Sequence, residues 1–388
     1  MIKQRRALRG ALVLALSAGV AAGGLTGTAT ADADRAPLRE LMTRLTTVDG
    51  GPGALLHVRD RRGGTVLTSG VADVTSRAPM RADSEFRIGS MTKPFVATVV
   101  LQLVGEHRVV LDAPVERYLP GVVRGNGNDG RAVTVRQLLQ HTSGIPDYLG
   151  FLDRQEILRN PLAHHDTRDL VEFALTHPRA FDPGERWGYS NTNYLLAGMI
   201  IQRVTGRAYG REIRRRIIEP LGLRHTSVPG DRTAISGPHP RGYVRPGPDA
   251  PLLDITAFNP SIAGASGSMI SSGADLNRFL GALVGGRLLR PAQLREMMRT
   301  RSTRNPGDPV DPANRAYGLG LESKSLPCGG LYWGHGGDIF GFKTAGGATV
   351  GGGQATVMVN LDPGATRAQS DDMTAAVQRA LCQDRTTR

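Results

Sequence analysis

Two kinds of hydrophobic periodicity divide this chain, and their order limits the folds open to it. Residues 54–59 and 65–71 alternate apolar and polar side chains on either side of Arg62-Gly63-Gly64, the pattern of a β-hairpin. Strand patterns return only after about Ala316, in residues 331–333, 340–345 and 355–361, with Gly-rich turns between them. The middle is helical. Phe95, Val96, Val99, Val100, Leu103 and Val104 recur at helical spacing, and residues 194–204, 209–221 (ending before Gly222) and 274–284 do the same. Thr134 caps a short helix ending at His141, and a last helix covers residues 367–381. Strands, helices, strands and a closing helix predict an α+β fold. Its antiparallel sheet, flanked by N- and C-terminal helices, is built from residues 32–110 and 310–388. A mostly helical domain, residues 111–309, is inserted between them, and the active site is expected at their junction.

Residues 1–31 read as a secretory signal peptide. Lys3, Arg5, Arg6 and Arg9 form the basic region, residues 11–22 the apolar region, and Ala29-Thr30-Ala31 the cleavage site, so Asp32 begins the mature chain. The longest later apolar run, residues 95–104, is too short to span a bilayer, and a secreted protein without a membrane anchor is expected. The formal charge is +13, and four of its bases belong to the leader. The remaining arginines are scattered, with no basic run interleaved with aromatics, which argues against nucleic-acid binding. Cys328 and Cys382 can pair in an exported protein; two buried free thiols are the alternative.

The chain has 48 lysines plus arginines, yet only Lys3, Lys93, Lys324 and Lys343 are lysines. Arginine cannot lose its proton in a protein, whereas a desolvated lysine can. Lys93 alone has a serine, Ser90, three residues before it. On a helix those two positions share a face, the geometry of a serine nucleophile beside an amine base. A helix start with a stray surface lysine is the competing reading. Pro94 suits a first helical turn. The positive end of the helix and burial both favour a neutral amine there.

Two other patterns carry no chemistry. Gly125-Asn126-Gly127-Asn128-Asp129-Gly130 matches the dinucleotide-binding spacing, but no helix opens at its end, and its Asn-Gly and Asp-Gly pairs mark a surface turn. His164-His165-Asp166 lacks further ligands at metal spacing and reads as a solvated loop. No metal or other cofactor is expected.

Acyl transfer also needs a proton donor for the leaving group and donors for the oxyanion. Trp187-Gly188-Tyr189-Ser190-Asn191 can aim a phenol and an amide into one cleft, or simply cap a helix. His335-Gly336-Gly337, after the strand at 331–333, lets a substrate backbone lie close, or simply turns the chain. Ser-x-x-Lys, Tyr-x-Asn and His-x-Gly in this order resemble the penicillin-recognising serine hydrolases. The similarity is to the class C β-lactamase and serine D-Ala-D-Ala carboxypeptidase branch, and it covers nearly the whole mature chain. His-x-Gly, where class C β-lactamases usually carry Lys-Thr-Gly, looks more like the secreted carboxypeptidases, D-amino-acid peptidases and esterases. Residues 138–145, Pro183-Gly184 and Tyr317-Gly318-Leu319-Gly320 add to the likeness.

The resemblance implies a β-lactamase/transpeptidase-like fold. Ser90 would be the acylated nucleophile, and Lys93 a neutral amine taking its proton directly or through Tyr189. Tyr189 would pass a proton to the leaving amine. Asn191 would bind the substrate amide and hold Lys93. His335 would stand in place of the third-motif cation within the Tyr189 network, with Gly336 and Gly337 beside the substrate. The backbone N–H groups of Ser90 and Asp338 would form the oxyanion hole. Cys328 and Cys382 correspond to cysteines that bridge in the secreted carboxypeptidases. The implied activity is a secreted D-alanyl-D-alanine carboxypeptidase on peptidoglycan peptides, acylated by β-lactams. The alternatives are a D-aminopeptidase or esterase, a β-lactamase, or a non-catalytic binding protein. Asp338 and Glu322 would repel a substrate carboxylate if they faced the cleft, which weighs against strict carboxypeptidase activity.

Overall fold

The computed structural model describes residues 35–60, 63–247, 249–305, 314–364 and 366–383. The expected signal peptide at 1–31, Arg62 of the expected hairpin turn and Pro248 of a Pro-rich segment lie outside the described residues. Eight strands form one antiparallel sheet: β1 (Gly53–Asp60), β2 (Gly63–Gly70), β3 (Arg301–Ser302), β4 (Ala316–Tyr317), β5 (Glu322–Ser325), β6 (Leu331–Ile339), β7 (Phe342–Ala348) and β8 (Gln354–Val359). They lie in the order β2-β1-β8-β7-β6-β5-β4-β3. The hairpin closes at Asp60 opposite Gly63, and β1 pairs with β8 from Ala54↔Val359 to Arg59↔Gln354. The two ends of the chain therefore meet at neighbouring strands of one sheet.

Both faces of this sheet are covered, and the period-2 alternation shows how. In β8, Ala355, Val357 and Val359 pack with Leu38, Met42 and Leu45 of α1 (Ala36–Thr47) and Met373, Val377 and Leu381 of the last helix, Arg367–Gln383. Met358 joins the main core on the opposite face, and Thr356 Oγ1 donates to Asn277 Oδ1 there (2.8 Å). The main core is built around α2 (Thr92–Gly105), which is buried on every side from Thr92 to Leu101. A helix apolar all round belongs inside a protein rather than on its surface. Phe95 of α2 stacks on Phe279 of the helix Gly273–Val284, with ring centroids 3.5 Å apart, which joins α2 to the sheet. Cys328, in the turn between β5 and β6, forms a disulfide with Cys382 near the end of the last helix. In the chain-entropy view such a loop closure contributes about 4 kcal/mol.

Several elements differ in detail from their sequence patterns. His335, Gly336 and Gly337 do not follow a strand; they lie inside β6, which continues to Ile339. Paired glycines depress strand propensity, but pairing with β7, from His335↔Gly346 to Gly337↔Thr344, holds the segment extended. The segment 209–221 is not one α-helix. It widens to a π-helical turn at Arg214–Ile218, where Arg215 and Arg216 fold back onto the fully buried Glu212. The Gly125–Gly130 segment is a small hairpin, and Asn126 and Gly127 both take the left-handed conformation of a type I′ turn. His164 is exposed and bonded to Asp231, while Asp166 caps the helix Thr167–Leu175. Among the described residues no group of three or more His, Cys, Asp or Glu side chains could hold a metal ion. No described helix is long and apolar enough to cross a membrane.

Candidate active site

Ser90 sits in a 3-10 turn, Gly89–Met91, immediately before α2, and Lys93 is the second residue of the helix. Lys93 is fully buried, and its Nζ lies 2.8 Å from each of three atoms: Ser90 Oγ, Asn191 Oδ1 and the Ser266 carbonyl oxygen. Two of these can only accept. A neutral amine has two N–H bonds and one lone pair, which leaves the lone pair for the Ser90 hydroxyl. Burial pulls Lys93 down to about 7 against the opposing pull of Asp147, Asp338 and Glu322, so the neutral form is accessible near neutral pH. The Tyr189 hydroxyl donates to Ser90 Oγ from the other side (2.8 Å). Burial drives the Tyr189 phenol well above its ordinary value, so it stands as a donor rather than a phenolate.

The helix Thr192–Thr205, here α3, begins at Asn191, yet the Asn191 side chain does not cap it. Asp147 captures it instead, accepting from the Asn191 backbone N–H (3.1 Å) and from Nδ2 (3.0 Å), so Oδ1 must face Lys93. Asp147→Asn removes a carboxylate that favours the charged lysine. The acid limb of the kcat/KM profile should move down by about 1 pH unit, with a fall in kcat as Asn191 loses its anchor. A pH–rate series on both proteins checks this; an unshifted limb would show that Lys93 does not sense Asp147.

Opposite Ser90 runs β6. Gly89 has φ +49, and a Cβ on it would stand 2.7 Å from Asp338 O and 2.8 Å from Asp338 N. A Cβ on Gly337 would stand 2.1 Å from Ile88 O. These glycines let the strand lie directly against the turn that carries Ser90. Gly337→Ala should push the two apart and lower kcat/KM by about 100-fold, the usual cost of a misplacement near 1 Å. Steady-state kinetics on folded protein tests it.

His335 is buried and does not bond Tyr189. Its Nε2 lies 2.8 Å from the Tyr317 hydroxyl and its Nδ1 2.5 Å from the Gly336 carbonyl, and the Tyr189 ring is 6.4 Å away between centroids. Nδ1–H donating to the carbonyl and Nε2 accepting from the phenol describe a neutral ring. Burial lowers it to about 4, so it supplies no cation at neutral pH. Asp338 points its exposed carboxylate at Lys343, its direct partner across β6 and β7, and Lys343 also lies 3.7 Å from Asp362. Burial and the neighbouring Asp338 raise Asp362 to about 7. Burial alone would raise Glu322, but nearby charge led by Lys324 (3.2 Å) holds it at about 2.

A cavity of about 190 Å³ opens beside Ser90, Asn191 and Asp338. Leu149, Ile157, Phe258, Ile262, Ile339 and Phe340 give it an apolar wall, and Arg154 and Asp362 also reach it. The structure thus brings Ser90, Lys93, Tyr189, Asn191, Gly336, Gly337 and Asp338 to one cleft and turns His335 to Tyr317. Sequence reasoning missed Asp147, Tyr317 and Ser266. Tyr317 opens Tyr317-Gly318-Leu319-Gly320, and Asp147 lies just beyond residues 138–145. Ser266 acts through its carbonyl and leaves no side-chain signal.

This combination of fold and cleft places the chain in the beta-lactamase family, whose model matches residues 38–380. A D-stereospecific amidohydrolase from Streptomyces sp. is similar in structure: TM-score 0.81, 42% identity, covering 88% of this chain and 98% of that one. The D-amino acid amidase from Ochrobactrum anthropi SV3 superposes with TM-score 0.78 at 29% identity, over 92% of this chain and 99% of that one. Esterase EstB of Burkholderia gladioli is 32% identical over 68% of this chain and 76% of its own length. Penicillin-binding protein 4* of Bacillus subtilis (strain 168) is 29% identical over 73% of this chain but only 62% of its own length. The chain is a serine hydrolase of this superfamily.

Proposed function

We propose that the protein is a secreted serine amidohydrolase that cleaves amides, and by the same route esters, of D-amino acids through an acyl-enzyme on Ser90. The observation that carries the reaction is the set of partners around Lys93: two acceptors for its N–H bonds and the Ser90 hydroxyl for its lone pair. Lys93 takes the proton as Ser90 Oγ attacks the carbonyl carbon. The oxyanion forms against the backbone N–H groups of Ser90 and Asp338, where β6 meets the Gly89 turn. Tyr189 relays a proton to the leaving amine, the amide bond breaks, and water later releases the acid and free Ser90. Tyr189 is a relay and Lys93 the base, because a buried phenol beside a neutral amine has no cation to hold it as phenolate.

The substrate side rests on the cleft. The third-motif position on β6 offers a neutral His335, and Lys343 of β7 is already engaged by Asp338 and Asp362, so neither strand carries a free cation for a terminal carboxylate. The apolar wall suits a bulky aromatic or aliphatic side chain. The D-configuration is supported by the stereospecific amidohydrolase and the amidase among the similar structures. A carboxypeptidase is the second reading, and Arg154 favours it: exposed and lining the same cavity, it could take a substrate carboxylate.

Purified mature protein should be given D-phenylalanine amide, its L-enantiomer and diacetyl-Lys-D-Ala-D-Ala, with a penicillin incubation read by mass spectrometry. Turnover of the D-amide alone supports the proposal. Release of D-Ala with a lasting penicilloyl adduct on Ser90 would replace it by the carboxypeptidase reading.

A further inference from the structure

One fully buried histidine lies against the cleft without entering the reaction described above. His141 ends the short helix Val135–Gln140 in the left-handed conformation (φ +60) and is 0% exposed. Its carbonyl oxygen accepts from Gly188 N–H (2.9 Å), and its Nδ1 accepts from Ser190 N–H (3.2 Å). Those two residues flank Tyr189. The His141 ring also lies on the Tyr189 ring, centroids 4.2 Å apart and tilted by 31°. Asn193 fixes the tautomer: Ser143 Oγ donates to its Oδ1 (2.6 Å), so its Nδ2 is directed at His141 Nδ1 (3.3 Å). Nδ1 is thus an acceptor twice over and Nε2 carries the hydrogen. Among the described residues Nε2 meets no hydrogen-bond partner, and the ring stands edge-on to Tyr317 (4.9 Å, 66°).

We infer that His141 is a positioning residue for Tyr189, holding the backbone on both sides of it and backing its ring so that the phenol stays on Ser90 Oγ. The inference rests on the assignment of Ser90 and Tyr189 given above. His141 exchanges no proton: both donors reach its one lone pair, and its N–H has no acceptor. Burial keeps it neutral, well below the ordinary histidine range. The requirement is for an acceptor at the Nδ1 position on a left-handed residue. Asparagine meets it, since its Oδ1 falls near Nδ1 and it tolerates positive φ. Phenylalanine keeps a ring but leaves the Ser190 N–H unpaired. Glutamine places its acceptor near Nε2 instead.

The test compares H141F, H141N, H141Q, Y189F and the double variant H141F/Y189F by kcat, KM and pH profile on the amide substrate that the wild type turns over. H141F and H141Q should lose kcat by about 10- to 100-fold at unchanged KM, whereas H141N should stay within about fivefold of wild type. The pH limb near 7 should remain in every active single variant. H141F should cost nothing further in the Y189F background, because a residue acting only through Tyr189 has nothing left to position. Should H141F fail to fold, the contrast between H141N and H141Q decides the same point. Additive losses, equal activities of H141N and H141Q, or loss of the pH limb in H141N would overturn the inference. A wild type that hydrolyses no substrate through Ser90, or an S90A variant that keeps its activity, would instead remove the reading on which it rests.

Discussion

Ser90→Ala is expected to abolish both turnover and covalent labelling while leaving the protein folded. The hydroxyl makes two contacts, with Lys93 and Tyr189, and no other described side chain offers a nucleophile within reach of both. Removing it leaves oriented groups with nothing to attack the carbonyl, so the loss should exceed about 1,000-fold. The check is twofold. Intact-mass spectrometry with an acylating substrate should show no adduct, and the melting temperature should stay near that of the wild type, because one hydroxyl leaves a core that remains buried. Activity that survived the change would remove Ser90 from the mechanism altogether.

Lys93→Arg should be nearly as severe although the charge class is retained. The site needs a lone pair, and a guanidinium does not give one up in a protein. It is also larger than the space bounded by Asn191, Ser266 and Ser90, where the amine is already 0% exposed. A loss of about 1,000-fold is expected, at the middle of the range for removing a general base. The wild type carries the companion signature. Its Lys93 is held at about 7, so below that pH the amine gains a third N–H, loses its lone pair, and acylation falls about tenfold per pH unit. Above it the rate should level off. A flat profile from pH 5 to 8 would mean that Lys93 is not the group that takes the proton.

Much of the scaffold was readable because its elements carry strong periodic signals. The β1–β2 hairpin alternates cleanly, Thr134 opens a capping box with Gln137, and Ser272 caps Gly273–Val284 by accepting from Asp275 N–H. The candidate cleft residues were readable by another route: Ser-x-x-Lys and Tyr-x-Asn are short motifs whose spacing brings their reactive atoms together. What stayed hidden depends on long-range partners. His335 was expected near Tyr189, but its ring turns to Tyr317, which arrives from a strand two places away in the sheet. Asp338 raised the concern of a bare carboxylate, and the register of β6 against β7 sets Lys343 directly across from it. Nothing local in either segment encodes that register. The glycines of β6 misled because a Gly pair weakens an isolated strand, whereas here the missing Cβ of Gly337 is what the neighbouring turn requires.

The pairing of β1 with β8 also sets when the protein can begin to work. Synthesis delivers Ser90 and Lys93 early, on a helix whose apolar faces still lack their partners. The strand they must face spans Leu331–Ile339, and β1 waits for β8 at Gln354–Val359. Contacts between such distant segments form late, because a long loop must close before any of them is rewarded. A growing chain that stops short of β6 therefore has its serine and lysine but no opposing strand, and cannot stabilise an oxyanion. On the proposed mechanism, hydrolysis therefore waits for the last strands to dock.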